Sequence, residues 1–350
     1  MVTMPPDAPP PPLRLQLDRE ALAANWRTLN RLSGKARAGA AVKANGYGLG
    51  AARVAQTLAD AGCRDFFVAW SSEAAELAGQ ADSCAISVLH GPHSGEDARY
   101  MAAAGLRPVI NSLPQARLWA EVGGGACDLM VDTGINRLGL ALGELGDPLL
   151  ASIQVVNVMS HLASADEDSL LNGVQLQRWQ QACAQFPGAG RSLANSAGIM
   201  LGEAYHGDLT RPGLSLYGGI ARPELAQHIQ PVARPQVALM QVRTIAAGET
   251  VGYNATYTAQ HAVRTGIAAV GYADGFLRAW SGKGRFHHDG AVLPVLGRVS
   301  MDMTVIDLSA APQLCEGDFV DIDYPLVEGS ALTGLSQYEL LTLLGRRFTR

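Results

Sequence analysis

A lysine closes a short apolar run, Ala40-Ala41-Val42-Lys43, and Gly46, Gly48 and Gly50 follow it at alternate positions. Burying an ammonium is costly. Two readings compete: the stem is buried and the head reaches water, or the amine's pKa is lowered by its surroundings and it forms a Schiff base. The glycines predict a tight strand-to-helix loop, of the kind that gathers reacting groups at one end of a parallel barrel. Three further residues sit in comparable places. Arg211 opens Arg211-Pro212-Gly213; a loop cation there is usually a surface ion-pair partner. His161 ends an apolar run at 154–161, and a lone histidine is more often structural. Tyr253 follows Val251-Gly252 in a β-rich stretch, where packing is the ordinary role of an aromatic residue.

These residues need elements to place them. Strand-like runs occur at 40–43, 65–70, 86–90, 108–111, 129–132, 154–161, 192–195 and 213–216. Between them lie amphipathic stretches at 50–61, 71–79, 95–104, 113–122 and 172–185, and a helix is expected at 19–32. Strands alternating with helices indicate parallel βαβ units. Eight such units are the number that closes an α/β barrel, with an open doubly wound sheet as the competitor. After Pro223 the texture changes. Prolines punctuate β-rich runs at 237–245, 267–271, 291–295, 304–306 and 319–323, and a helical pattern returns only at 336–345. The expected organisation is a proline-rich disordered tail at 1–12, a TIM-type barrel domain at 13–224 and an all-β domain at 225–350.

Composition bounds the function. Of 350 residues 48% are apolar and 17% charged, as in a folded chain with a large core. The net charge of −5 offers no electrostatic footprint for nucleic acid. No apolar run approaches the roughly 20 residues of a membrane helix. The start lacks a basic region followed by an apolar run, so no secretory signal is read and a cytoplasmic location is expected. Five widely spaced cysteines suggest neither a disulfide framework nor a metal site. Glycine is in excess: 39 residues, about 11% against a usual ~7%.

Taken together and in order, eight segments resemble the alanine racemase family. They are Ala41-Val42-Lys43-Ala44-Asn45-Gly46-Tyr47-Gly48-Leu49-Gly50, Val131-Asp132-Thr133-Gly134-Ile135-Asn136-Arg137-Leu138-Gly139, Ser160-His161-Leu162-Ala163, Asn195-Ser196-Ala197-Gly198, Arg211-Pro212-Gly213-Leu214-Ser215-Leu216-Tyr217-Gly218, Val251-Gly252-Tyr253, Gly271-Tyr272-Ala273-Asp274-Gly275 and Gly297-Arg298-Val299-Ser300-Met301-Asp302. The resemblance spans nearly the whole chain after the proline-rich start. It implies a fold-type III enzyme dependent on pyridoxal 5'-phosphate (PLP): a (β/α)8 barrel, a C-terminal β domain, and a homodimer with shared active sites.

Racemisation removes the Cα proton and returns one from the opposite face, so two bases are the minimal machinery. The resemblance implies that Lys43 is one base and also carries the cofactor, while Tyr253 of the partner subunit is the other. A free phenol is a poor base at neutral pH, so Tyr253 would draw help from cations such as Arg137 or Arg211. Arg211 is implied to contact the pyridine nitrogen. Being always protonated, it donates to that nitrogen without protonating it, which weakens the ring as an electron sink and limits side reactions. His161 is implied to support Arg211. The phosphate is implied to be held by the hydroxyls of Tyr47, Ser196 and Tyr338 and by the backbone N–H groups of Ser196, Gly213 and Leu214. Arg137 and the Met301 backbone would bind the substrate carboxylate. Tyr272, Arg278, Arg298 and Asp302 would line the entryway, where Tyr272 and Tyr338 leave room for only a small side chain.

The pattern also departs from the family. Many members carry, seven residues before the motif arginine, a lysine that is carbamylated and positions it. That place is Met130 here, which cannot be carbamylated. Ile135 stands where the family motif has methionine. The expected activity is interconversion of L- and D-alanine, supplying D-alanine for peptidoglycan or serving alanine catabolism. The alternatives are a racemase of another small amino acid such as serine, or a low-turnover PLP-binding homologue.

Overall fold

The computed structural model describes residues 11–81, 83–345 and 347–349. The expected tail at 1–12 lies, but for two prolines, outside the described residues. The chain divides into two compact units, one of residues 19–230 and one of the residues up to Asp18 together with those from Pro231 onward.

The first unit is built on a parallel sheet of seven strands in chain order: Ala40–Ala41, Asp65–Val68, Ala85–Val88, Arg107–Ile110, Ala126–Met130, Gln154–Met159 and Gly190–Ser192. An eighth run, 209–212, hydrogen-bonds at both edges. The N–H groups of Arg37, Gly39 and Ala41 donate to the carbonyls of Asp208, Thr210 and Pro212 at 3.2, 2.9 and 2.9 Å, and the Arg211 N–H donates to the Ala194 carbonyl at 2.8 Å. The expected barrel is thus present, with one correction. Residues 213–216 are not its last strand: Leu209–Thr210 is, and Leu214–Tyr217 forms a 3-10 turn. Pro212 has no N–H for a ladder, and Gly213 takes φ −132°, ψ −86°, outside strand geometry.

Helices cover the sheet for ordinary reasons. In Arg19–Leu32 the buried Leu22, Trp26 and Leu29 recur at spacings of four and three, one stripe of a helix. Ser94, Ser112 and Ser169 cap Gly95–Ala103, Leu113–Glu121 and Leu170–Ala184, their hydroxyls accepting first-turn N–H groups; each cap contributes about 1 kcal/mol. Parallel strands put every strand's C-terminal end on the same side of the barrel. Lys43, His161 and Arg211 all follow such ends.

The second unit is antiparallel. Its strands lie in the order Leu13–Leu17, Ala233–Ile245, Val263–Ala268, Thr304–Asp307, Ala291–Leu296, Arg285–His288 and Phe319–Ile322, and the last pairs back onto Ala233–Ile245 to close a β barrel. Here the expected boundaries are corrected. Leu13–Leu17 belongs to this sheet and not to the α/β barrel: Leu13 pairs with Val237, and Leu13 and Leu15 are buried while Arg14 lays its guanidinium 3.5 Å over the Phe319 ring. Two helices, Leu326–Thr333 and Gln337–Leu343, follow the last strand. Among the described residues no helix is long and apolar enough to cross a membrane.

Candidate active site

Lys43 stands where the first barrel strand gives way to an unusual turn. Ala44, Asn45, Gly46 and Tyr47 all have φ between 53° and 60°, a single turn of left-handed helix. For L-residues this costs roughly 1–2 kcal/mol each. Hydrogen bonds oppose the cost: Gly46 N–H to Val42 O at 2.8 Å, Gly48 N–H to Ala44 O at 2.9 Å, Gly50 N–H to Asn45 O at 2.9 Å, and Ala51 N–H to the Asn45 side chain at 2.9 Å. Lys43 itself is half-buried. Burial and the Arg137 guanidinium hold its amine below the ordinary lysine range, with Glu73 acting in the opposite direction.

Arg211 is buried. Its guanidinium donates to the Ser192 hydroxyl and the Ser160 carbonyl, both at 2.5 Å, and more weakly to the Leu193 carbonyl. No carboxylate lies within ion-pair distance of it among the described residues. Burial lowers it to about 10, against the pull of Asp128, so it stays charged at neutral pH. The two short serine contacts form its seat; the His161 imidazole, expected to support it, lies within electrostatic reach but makes no hydrogen bond to the arginine. Burial and the cations Arg211, Arg137 and Lys43 push His161 down to about 3, so the ring is neutral.

Beside them lies a cradle. The Ser196 hydroxyl accepts from the N–H groups of Gly213 at 2.9 Å and Ser215 at 3.3 Å, so two of the expected phosphate donors are paired with each other. A Cβ on Gly213 would fall 2.4 Å from the Tyr47 hydroxyl, which explains glycine at the mouth of this turn. The Tyr47 ring stacks on Tyr217 at 4.5 Å, and Tyr217 donates to the Ala41 carbonyl at 2.7 Å. Leu214 is buried at the start of the 3-10 turn, and the buried Ser215 hydroxyl has no partner among the described residues.

The remaining expected residues belong to the β unit. Tyr253 is 68% exposed, in a turn flanked by the strands Thr250–Val251 and Tyr257–Thr258. Asn254 and Ala255 after it are left-handed, and Gly252 before it takes φ 74°, ψ −173°, a region essentially reserved for glycine. Tyr272 and Met301 come together: the Tyr272 N–H donates to Ser300 O at 3.1 Å and the Ala273 N–H to Met301 O at 3.0 Å. A Cβ on Gly271 would meet both of those carbonyl oxygens at 2.3 Å. Asp302 pairs with Arg347 at 2.8 Å, which also holds Asp274 at 2.7 Å. Arg278 is exposed and Arg298 half-buried, with the Arg298 backbone beside Gly252. Tyr338 lies exposed on Gln337–Leu343.

Known proteins show which family the chain belongs to. The alanine racemase N-terminal domain model matches residues 17–221, and the C-terminal domain model matches 232–350. The biosynthetic alanine racemase of Agrobacterium fabrum is 42% identical over 97% of this chain and 93% of its own length. A catabolic alanine racemase of Rhizobium johnstonii is 40% identical over 96% of this chain and 93% of its own. The chain belongs to the alanine racemase family. It is an isomerase. The crystal structure of alanine racemase from Bartonella henselae, which carries covalently bound pyridoxal phosphate, superposes with a TM-score of 0.86 at 33% identity, covering 97% of this chain and 99% of that one.

Against the alanine racemase pattern, several neighbours of the site went unread in the sequence. Asp132 is one. Its carboxylate accepts from the N–H groups of Gly134, Ile135, Asn136 and Arg137 at 2.8–3.1 Å, so the loop that bears Arg137 is held by backbone bonds. No lysine is needed at the buried Met130 for that. An aspartate two residues before a glycine is a recognisable turn signal. Gln175 is another: it donates to Thr133 Oγ1 and to the His161 carbonyl, bridging two barrel-end loops from a helix where only burial would have been read. His90 is a third. Burial, Lys43 and Arg137 lower its pKa, and it meets Trp70 edge-on at 4.1 Å.

Proposed function

We propose that the chain interconverts L-alanine and D-alanine with PLP as cofactor, using two bases on opposite faces of the substrate Cα. The observation that carries this reading is Lys43: a half-buried amine at a barrel-strand end, lowered in pKa by burial and by Arg137. A lowered pKa favours the neutral amine, the form that acts as nucleophile and base.

The residues fit the cofactor. Gly213 keeps open, against Tyr47, a space that a Cβ would fill, and the backbone N–H groups at the start of the following turn suit a phosphate. Arg211, a buried cation seated on neutral acceptors, suits a ring nitrogen that accepts a hydrogen bond. His161, Ser196, Leu214 and Tyr338 complete the proposed set. When bound, PLP supplies an electron sink for the negative charge left at Cα.

The chain's own residues do the rest. Lys43 takes or returns the proton at its Nζ on one face, and Tyr253 of the partner subunit does so at its hydroxyl on the other. Arg137 and the Met301 backbone hold the substrate carboxylate, which orients Cα between the bases. Tyr272, Arg278, Arg298 and Asp302 line the approach, and Tyr272 and Tyr338 leave room there for only a small side chain. The assembly is a homodimer with shared sites, in the cytoplasm. The two enantiomers have equal free energy in achiral water, so net direction follows whichever one the cell consumes, for peptidoglycan or for catabolism.

Purified protein supplied with PLP should racemise alanine faster than serine or other small amino acids. Lys43→Ala should abolish turnover. A Lys43→Ala protein as fast as the unaltered chain overturns the reading.

A further inference from the structure

We propose that Glu73 is a positioning residue for Lys43, tying the left-handed turn that presents the amine to the neighbouring barrel strand. The proposal rests on Lys43 being the reacting amine. Glu73 is the third residue of the short helix Ser71–Ala75, in the loop after Asp65–Val68. Its Oε2 accepts from the N–H groups of Ala69 at 2.7 Å and Trp70 at 3.4 Å, which fixes the side chain to its own loop. Its Oε1 reaches across to the Ala44 N–H at 2.8 Å. Ala44 is the first residue after Lys43 and the first of the left-handed turn.

The turn's own hydrogen bonds engage the amides of Gly46, Gly48, Leu49 and Gly50. The amide at its entrance is left to Glu73. Strained backbone persists only where its surroundings over-determine it, and the entrance is where a release would swing Lys43. The carboxylate also acts by charge. Among the described residues, the charged or titratable groups seen to act on Lys43 or to feel it include Arg137, His90, His161 and Glu73. Of these Glu73 alone is negative, and it raises the amine's proton affinity against burial and Arg137. One side chain therefore sets both where the amine sits and how readily it gives up its proton.

The test uses the full chain in three forms: unaltered, Glu73→Ala and Glu73→Gln. Hydrogen exchange of residues 43–50 reads the turn. The pH dependence of Lys43 acetylation by acetic anhydride, followed by peptide mapping after the cofactor is removed, reads the amine. Steady-state kinetics on the PLP-loaded enzyme read the consequence. Glu73→Ala should lose exchange protection at the Ala44 amide and reduce kcat about 10²-fold, as a small misplacement of a reacting group does, with the alanine KM little changed. Glu73→Gln keeps one acceptor oxygen and loses the charge. It should hold the turn better than Glu73→Ala, and its Lys43 titration should move to lower pH. Unchanged exchange in Glu73→Ala, or an unshifted Lys43 titration in Glu73→Gln, overturns the proposal. Exchange and labelling are read without turnover, so their failure is distinct from a Lys43 that proves not to be a base.

Discussion

The two turns that carry the proposed bases are built from the same rare conformation and finished in opposite ways. After Lys43, four consecutive residues are left-handed, and Glu73 and the turn's own amides lock them. After Tyr253, Asn254 and Ala255 are left-handed too, but the turn closes on a long backbone bond, Ala255 N–H to Gly252 O at 3.2 Å, and hangs from a two-residue strand pair. The lysine is half-buried and the tyrosine 68% exposed. A residue proposed to serve a site in its own barrel is fitted into that barrel. A residue proposed to serve a second subunit's site is displayed, and its surroundings are completed elsewhere.

Substitutions can break this contrast. The largest effect should come from Tyr253→Phe, which removes the displayed hydroxyl: turnover should fall by about 10²–10⁴-fold, the range of a lost acid–base group. The cofactor absorbance of the purified protein should be unchanged, because none of the barrel contacts is touched. A parallel loss of cofactor would place Tyr253 in the cofactor's support. Gly213→Ala should come next. Its Cβ would meet the Tyr47 hydroxyl at 2.4 Å and force the cradle open, so PLP should dissociate faster in a dilution assay, and kcat at saturating PLP should change less than retention. The smallest effect is a matched pair. Ala44→Gly at φ 53° and Ala255→Gly at φ 48° each relieve an L-residue of left-handed strain. Each should raise stability by up to about 1 kcal/mol in a denaturant melt, but only Ala44→Gly should also slow turnover, since only that turn holds its base in place. Equal kinetic effects would erase the distinction between the two turns.

Most of the barrel was readable because its strands are apolar runs set between amphipathic helices, though the seventh, Gly190–Ser192, meets the run expected at 192–195 only at Ser192. The eighth strand was not, because 209–212 holds Thr210, Arg211 and Pro212, and its signal is pairing rather than composition. The strand Leu13–Leu17 falls in the β unit, outside the barrel domain expected to contain it. Its alternation of buried leucines suits any antiparallel edge, and its partner lies more than 200 residues away, as the Gln16–Gln236 side-chain bond shows. The candidate chemical residues stand out through motif order. What escaped were the residues that hold them: Asp132 under Arg137, Ser192 under Arg211, Glu73 under Lys43. Polar side chains have many possible partners, and only the folded chain selects one.

The central claim, two bases on two faces, is tested most directly by running the reaction in heavy water. L-alanine is racemised in D2O, and the α-hydrogen content of product and of remaining substrate is read by mass spectrometry during the first few per cent of conversion. The account predicts D-alanine carrying solvent deuterium at Cα while the recovered L-alanine keeps its hydrogen, because the proton removed on one face is not the one returned on the other. Product that retains the substrate's own α-hydrogen would mean that one base serves both faces, and would contradict the assignment of Lys43 and Tyr253 as a pair.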